Sequence, residues 1–282
     1  MEELSSFANW IVAIGDGDIG GTNDGHVDVQ IPKKHVLKPD CDPIKAIVKS
    51  TFPMFQENQN NGDYLIGRAI LAPTLEVVDE VNDYMSTLND ATSRTYLSSD
   101  SVCPTENTSD TVAALHTPKL LNVLKCSGLP NHSRTLKVGS PVMLLRNIDH
   151  SAGLCNGTRL IISELADHVV QAKILFGSNA GEQVLIPRLS LTPSDTRLPF
   201  KFQRRQFPLM FSYAITINKS QGQTLSTVGL LLKKPVFVHG QLYVALSRVS
   251  NPNGLKLLIC SDNGEYVSST SNVVYKKVFN NL

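Results

Sequence analysis

The sequence lacks the features that mark zinc-ribbon, secreted and membrane proteins. Its five cysteines are scattered, odd in number and form no Cys-x-x-Cys pair, which argues against a zinc ribbon or a disulfide framework and favours a reducing compartment. No apolar run reaches membrane-spanning length, and the N-terminus lacks the basic, then apolar, then small-residue order of a signal peptide. We therefore expect no metal site and no membrane partner.

An excess of charge of either sign is also missing. The 282 residues include 26 Lys and Arg against 25 Asp and Glu, a formal net charge of +1. Net charge therefore gives no indication of nucleic-acid binding, and any such surface must be local. The length is sufficient to bury a sizeable core and allows one or two domains.

The sequence also lacks the patterns of phosphate-binding loops. The pattern G-x-x-x-x-G-K-[ST] does not occur in the sequence, nor does an apolar strand that ends in paired acids. Gly15, Gly17 and Gly20 match G-x-G-x-x-G, but a dinucleotide site needs a helix to begin there, and Asp16 and Asp18 would repel phosphate. A flexible acidic loop is the favoured interpretation, and an NAD-type oxidoreductase would rest on these glycines alone.

An α/β pattern is present on both sides of a β-rich segment. Ala69 to Pro73 is a short apolar run typical of a buried strand, and Thr74 can cap the following helix, whose apolar residues recur at spacings of three and four. Residues 91–118 are polar and rich in Ser and Thr, which indicates a long surface loop. After Pro208 the α/β pattern returns, with strands predicted at 211–217, 228–232 and 255–260 and a helix at 239–249.

Short runs of β type fill the middle of the chain. They lie at 138–145, 159–165, 169–175 and 183–189, and one intervening turn carries Asn156-Gly157, a strong hairpin signal. Several short strands in so few residues predict a small β-barrel inserted in an α/β domain. The predicted division is 1–45, a linker or the end of an upstream lobe; 46–135, the first part of the α/β lobe; 136–206, the barrel; 207–265, the second part of the lobe; and 266–282, a C-terminal tail.

A polar, glycine-containing turn follows the strand at 211–217. It lies at the carboxyl end of that strand, where α/β sheets bind ligands. Lys219 can meet a phosphate, while Thr216, Asn218, Ser220 and Gln221 can hydrogen-bond a nucleic-acid backbone or a nucleotide. An ordinary surface turn explains these residues equally well.

The predicted helix at 239–249 carries Arg248 near its end. A planar guanidinium there suits the oxygens of a phosphate held by a neighbouring domain. Taken alone, a solvated arginine on an amphipathic helix is the better interpretation of this residue.

Three segments taken together, in order, resemble motifs IV, V and VI of superfamily-one DNA helicases of the RecD and Pif (petite integration frequency) type. They are Ala69 to Asn82, Thr216 to Leu225 and Gly240 to Val249. Leu136 to Ile161 is similar to the opening of that family's inserted barrel, and Arg159 to Val249 most resembles helicases of eukaryotic Helitron-like transposons. The resemblance implies an α/β, RecA-like second helicase lobe with an inserted small SH3-like β-barrel.

The same resemblance assigns roles to individual residues. Arg248 is similar to the motif VI arginine that contacts the ATP γ-phosphate, and Gln221 and Gly222 lie where the motif V turn couples nucleotide to DNA. Asn218 stands in place of a usual histidine and Leu75 in place of a usual asparagine, so the contact at Leu75 is in doubt. The DNA-binding positions implied are Thr74, Thr216, Asn218, Lys219 and Ser220.

As a whole, the resemblance implies an ATP-dependent 5′-to-3′ DNA helicase with ATP and Mg²⁺ as cofactors and single-stranded DNA as partner. It further implies roles in DNA repair, recombination, telomere or transposon replication, and a nuclear location. The P-loop and the acid that holds Mg²⁺ would belong to a first lobe upstream of Met1, supplied in cis or in trans, so we expect the chain alone to be inactive. The alternative is a non-catalytic module that binds single-stranded DNA or a protein.

Overall fold

The computed structural model divides the chain into two compact units. One consists of Met1–Leu88 with Tyr213–Leu282, and the other is Asn89–Ser212. We call them the parallel unit and the antiparallel unit, after the sheets they contain. The residues described are 2–20, 25–39, 42–59, 61–103, 117–124, 126, 128–193, 200–261 and 263–276.

Helices and strands alternate in the parallel unit, whereas strands dominate the antiparallel unit. The helices are α1 Glu2–Asp16, α2 Pro43–Thr51, α3 Phe55–Asn58, α4 Gly62–Ile66, α5 Leu75–Leu88, α6 Pro118–Val123 and α7 Gln241–Leu246. The strands are β1 His26–Gln30, β2 Arg68–Ala72, β3 Ser93–Leu97, β4 Ser99–Val102, β5 Ser133–Lys137, β6 Pro141–Leu144, β7 Arg159–Leu165, β8 Val169–Ile174, β9 Gln183–Pro187, β10 Leu189–Leu191, β11 Phe202–Gln206, β12 Leu209–Phe211, β13 Ala214–Thr216, β14 Thr227–Leu232, β15 Leu255–Ile259 and β16 Ser269–Val273.

A four-stranded parallel sheet forms the centre of the parallel unit. Its order is β13-β2-β14-β15, and the strands are continuous apolar runs because both faces of the sheet are covered. The connection from β2 through α5 to β13 crosses the sheet in one direction, and that from β14 through α7 to β15 crosses it in the other. Because parallel crossovers are right-handed, α5 and α7 cover opposite faces. Helix α2 packs on α5.

Two residues, Asn82 and Gly229, determine how closely the helices pack on the sheet. Asn82 of α5 is buried beside the edge strand β13. Its amide nitrogen donates to the Ala214 carbonyl and its amide oxygen accepts from the Ala214 N–H, both at 2.9 Å, so the side chain makes the pair of hydrogen bonds that a neighbouring strand would make. Gly229 of β14 lies against α2, where a Cβ would collide with the side chains of Thr51 and Ile47. The close approach of α2 to the sheet therefore requires glycine at this position.

Both ends of the chain belong to the parallel unit, although 1–45 was predicted as a linker or the end of an upstream lobe and 266–282 as a tail. Strand β1 pairs antiparallel with β16, and α1 packs on α7, where Gly15 faces the ring of Tyr243. Helix α1 ends at Asp16, and Gly17 follows with a φ of 72°. A helix therefore ends where a dinucleotide site needs one to begin, which agrees with the rejection of that site.

Antiparallel strands build the other unit. Its sheets are β12-β6-β7-β8-β9, β10-β11-β4 and the pair β3-β5. The prediction of a loop over 91–118 is wrong for the described part, because β3 and β4 lie within it; residues 104–116 lie outside the described residues. Since β3 pairs with β5 and β4 with β11, the compact unit begins at Asn89 and not at residue 136. Its SH3-like character stays a prediction.

A buried arginine lies at the centre of the polar contacts around the three-stranded sheet of the antiparallel unit. Arg204 of β11 donates through Nε and Nη2 to the carboxylate of Asp100, through Nη1 to the carbonyls of Leu124 and Pro130, and through Nη2 to the carbonyl of Leu121. All five N–H groups of the guanidinium are used in this way. The side chains of Arg204 and Asp100 are 0% and 1% exposed, so the ion pair is part of the core.

Candidate functional site

One group of predicted site residues meets at the carboxyl edge of the parallel sheet. Strands β13 and β2 are neighbours, and Thr216 pairs in register with Ala72. Thr74 and the 3-10 turn Ile217–Ser220 therefore follow adjacent strands at the same sheet edge. The structure thus brings Thr74, Thr216, Asn218 and Lys219 together, and we call them the carboxyl-edge group.

Within the turn, exposure separates the predicted DNA-binding residues. Asn218 is exposed and Lys219 partly exposed, but Ser220 is fully buried. The Ser220 hydroxyl donates to the carbonyl of Ile217 at 2.6 Å. In this arrangement Ser220 fastens the turn from inside and does not present its hydroxyl to a ligand.

Beyond the turn, the chain runs from Gln221 to the opposite edge of the sheet. The N–H groups of Ser226 and Thr227 both donate to the carbonyl of Gly67, directly before β2. Leu225 forms a parallel bridge with Val249, the residue after Arg248. Arg248 therefore lies at the amino edge, separated from the carboxyl edge by a five-residue strand that rises roughly 15 Å.

The guanidinium of Arg248 is held in a fixed orientation. Nε donates to the Val244 carbonyl at 2.9 Å, Nη1 to the Gln223 carbonyl at 3.3 Å and Nη2 to the Ser247 hydroxyl at 2.8 Å. These bonds use three of the five N–H groups and leave two. The side chain is partly exposed, so the remaining N–H groups are available to an oxyanion from outside.

Gln221 and Gly222 occupy the exposed bend between the two edges. Gly222 has a φ of 79°, and a Cβ there would meet no atom within 4 Å. The left-handed backbone favours glycine, and the open space allows a ligand to approach the main chain closely. Both predicted nucleotide-binding residues are therefore accessible, and they adjoin the segment that holds Arg248.

Two glutamines that were not singled out fasten the turn, Gln223 to the amino edge and Gln241 to the start of α7. Gln223 donates from its side-chain amide to the Lys219 carbonyl at 3.3 Å, and its own carbonyl accepts from Arg248. Gln241 is buried at the start of α7, and its amide nitrogen donates to Oδ1 of Asn218 at 3.4 Å. In the sequence, the one indication of a role for these glutamines was that they lie in the polar segments at 216–225 and 240–249.

The described residues contain no group of three or more His, Cys, Asp or Glu side chains placed to hold a metal ion. Among them there is also no helix with the length and apolarity needed to cross a membrane.

A known helicase domain matches part of the antiparallel unit. The family described as "DNA helicase Pif1, 2B domain" matches residues 119–165. This range contains β5, which pairs with β3, and β6 and β7, which are neighbouring strands of the five-stranded sheet.

Curated relatives match about half of the chain. The "ATP-dependent DNA helicase PIF6" of Trypanosoma brucei brucei is 32% identical over 147 residues, which is 51% of this chain and 18% of that protein. The human "ATP-dependent DNA helicase PIF1" is 34% identical over 142 residues, 50% of this chain and 22% of that protein. The Pif1 of Bdellovibrio bacteriovorus is 37% identical over 124 residues, 44% and 27% respectively. The matched region therefore spans about a quarter or less of the length of these relatives.

The fold is that of a solved helicase of the same type. The crystal structure of Pif1 helicase from Candida albicans aligns with a TM-score of 0.53 at 24% sequence identity, over 81% of this chain and 56% of that one. At this identity the likeness concerns the fold. Together, the domain match, the curated relatives and the fold support a relationship of this chain to the C-terminal part of Pif-type superfamily-one DNA helicases.

Proposed function

We propose that this chain supplies the second motor lobe and the inserted domain of an ATP-dependent DNA helicase that tracks 5′ to 3′ on a single strand. The observation that carries the proposal is the hydrogen bond from Arg248 to the Gln223 carbonyl. It fastens an arginine of the motif VI type to the turn of the motif V type. The two segments that resemble helicase motifs are therefore parts of one physical site.

On the nucleotide side, Arg248 is placed to stabilise negative charge. ATP, when bound, supplies the transferable phosphoryl group, and the two remaining N–H groups of Arg248 suit its equatorial oxygens. Gln221 and Gly222 offer exposed polar and main-chain groups beside it. The sequence contains no P-loop pattern and no apolar strand that ends in paired acids, so we assign the metal and the P-loop to a first lobe that must be supplied in cis or in trans.

At the carboxyl edge, the proposal assigns DNA binding to Thr74, Thr216, Asn218 and Lys219. Their hydroxyl, amide and ammonium groups are those that contact phosphates without reading sequence. Asn218 keeps a hydrogen-bonding group where the family usually has a histidine. Leu75 is 41% exposed and offers no such group, so no contact is assigned to it.

A second candidate function is a non-catalytic module that binds single-stranded DNA or a protein. The absence of a G-x-x-x-x-G-K-[ST] pattern from the 282 residues favours it. The cellular side of the proposal, a nuclear location, a Helitron-like origin and roles in repair, recombination or telomere maintenance, rests on the family resemblance alone. Imaging of a tagged full-length chain in its native cell tests the location.

ATP hydrolysis with and without a first lobe tests the proposal. The purified chain should not hydrolyse ATP, because nucleotide affinity in this motor comes mainly from the P-loop. Adding the first lobe of a Pif-type relative, fused or as a separate polypeptide, should produce hydrolysis that single-stranded DNA stimulates. DNA-stimulated hydrolysis by the chain alone that is lost in Arg248→Ala would contradict the need for a first lobe. DNA binding without hydrolysis in every fusion would favour the non-catalytic module.

A further inference from the structure

Gln241 is a buried polar residue to which the proposed function assigns no role. It is the first residue of α7 and is 3% exposed. Main-chain bonds hold this start of the helix, because the Gly240 N–H donates to the Val273 carbonyl at 2.9 Å and the Gln241 N–H donates to the Val238 carbonyl at 3.1 Å. A buried amide side chain needs partners for its donor and its acceptor, since an unpaired polar group in the core is costly.

A main-chain group fixes the orientation of the Gln241 amide. Its Oε1 accepts a hydrogen bond from the Phe237 N–H at 3.1 Å. A main-chain N–H can only donate, so the oxygen of the Gln241 amide must face Phe237 and its nitrogen must face another partner. That partner is Asn218, whose Oδ1 accepts from Nε2 of Gln241 at 3.4 Å.

The amide of Asn218 is oriented in turn. Because Gln241 supplies an N–H, the atom of Asn218 that faces it must be the acceptor, Oδ1. The amide nitrogen of Asn218 is therefore turned away from Gln241. Asn218 is exposed, and no hydrogen bond within the described part of the chain uses this nitrogen. The group that Asn218 presents to a ligand is thus an N–H donor.

We propose that Gln241 is a positioning residue, which orients the amide of Asn218 so that it donates to a phosphate oxygen of single-stranded DNA. A phosphate oxygen only accepts hydrogen bonds, so this contact requires a donor at Asn218. Lys219 is the next residue and adds an ammonium group at the same edge of the sheet. The inference rests on the proposed assignment of the carboxyl-edge group to DNA, and adds which atom of Asn218 binds and what orients it.

The polarity of this hydrogen-bond chain decides which side chains can replace Asn218. A neutral imidazole accepts at one ring nitrogen and donates at the other, so histidine can accept from Gln241 and still present a donor. Histidine is also the residue that helicases of this type usually have at this position. A carboxylate only accepts, so aspartate can take the bond from Gln241 but presents a second acceptor to the phosphate.

Substitutions at Asn218 test the proposal at an exposed residue. Binding of fluorescein-labelled oligo-dT to the full chain is measured by fluorescence anisotropy. We expect Asn218→His to bind within about threefold of the wild type, and Asn218→Asp to bind at least about tenfold more weakly, because the carboxylate repels the phosphate. The same loss is expected with oligo-dA, since the contact is to the backbone and not to a base.

A double-mutant cycle separates positioning from folding. Gln241→Met removes both amide hydrogen bonds at similar length and should weaken oligo-dT binding by about fivefold. In the Asn218→Ala background the same change should alter affinity by less than about twofold, because no amide is left to orient. A role in folding alone would weaken binding equally in both backgrounds and would overturn the proposal. Circular dichroism confirms that each variant is folded.

Lys219→Ala distinguishes failure of the inference from failure of the proposed function. If this change weakens binding while Asn218→His and Asn218→Asp bind alike, DNA binds at the carboxyl edge and the inference alone is overturned. A loss in Asn218→Asp with oligo-dT but not with oligo-dA would place the contact at a base and would also overturn it. A wild-type chain that binds neither oligonucleotide would overturn the proposed DNA role and the inference together.

Discussion

Arginines serve opposite purposes in the two units. In the antiparallel unit, Arg204 is fully buried and donates all five of its N–H groups to protein acceptors. In the parallel unit, Arg248 is partly exposed, and its hydrogen bonds use three N–H groups. Arg204 therefore has no N–H group left for a ligand. Arg248 is held in place by its three hydrogen bonds and still has two N–H groups that can donate to a ligand.

Hydrogen-bond saturation therefore separates a structural arginine from one that can act on a phosphate. Burial, a second criterion, places Arg159 of the antiparallel unit with the structural arginines. It is 1% exposed, and desolvation by burial lowers its pKa to about 10. The residue type alone does not make this distinction: Arg159 and Arg204 lie in strands, and Arg248 lies just after the end of α7.

The largest expected effect is on catalysis at Arg248. In a motor reconstituted with a first lobe, Arg248→Ala should lower ATP turnover by roughly 10³, the lower part of the range for arginine fingers, because lobe closure accounts for part of the effect. Arg248→Lys should rescue little, since lysine loses the planar fork. Steady-state ATPase assays measure both, with circular dichroism as the folding control. Equal turnover in all three proteins would mean that Arg248 only fastens the turn and does not act on the nucleotide.

The next largest effect concerns stability of the antiparallel unit. Asp100→Ala should lower the free energy of unfolding by about 3–5 kcal/mol, because it leaves the buried charge of Arg204 uncompensated. Arg205→Ala, on the exposed side of the same strand, is the matched control and should change stability by less than about 0.5 kcal/mol. Urea unfolding followed by circular dichroism measures both. If Asp100→Ala were as mild as the control, the contrast between the two arginines would fail.

A smaller effect is expected at the carboxyl edge. Lys219→Ala should weaken single-stranded DNA binding several-fold and reduce the slope of log affinity against log salt by roughly one, since one phosphate contact is lost. Lys38→Ala, on the exposed surface of the same unit, serves as control. Fluorescence titration with oligo-dT at several salt concentrations gives both quantities. Affinity that does not change with salt would show that the contact is not electrostatic.

The smallest effect is a pH dependence of stability at His35. This side chain is 2% exposed against the ring of Trp10, and desolvation lowers its pKa below the ordinary value of 6.5. A histidine with a depressed pKa contributes stability that is present above 6.5 and is lost as the pH falls below it, because the unfolded chain binds the proton more readily. Urea unfolding at pH 7.5 and at about pH 5, followed by the fluorescence of Trp10, should show the loss, and His35→Phe should reduce it. An equal loss in the variant would assign it to other groups.

The apolar elements could be predicted from the sequence, but several polar contacts could not. The strand near Ala69 and the helix after Thr74 were predicted because buried parallel strands and amphipathic helices have strong hydrophobic patterns. Strands β3 and β4 were missed because they are rich in Ser and Thr, and Tyr96 is the one fully buried side chain of β3. The link between Gln223 and Arg248 uses a main-chain carbonyl, which no residue type reveals.

The discontinuous parallel unit has a consequence for synthesis on the ribosome. Strand β2 leaves the exit tunnel before the antiparallel unit, but its neighbours β13 and β14 come after it. Until Ala214 has been made, both edges of the apolar strand β2 lack strand partners, and the side-chain amide of Asn82 lacks the backbone groups to which it hydrogen-bonds. A nascent chain that terminates within residues 89–212 would thus expose β2 as a pairing edge, which makes it a target for chaperones or a seed for aggregation.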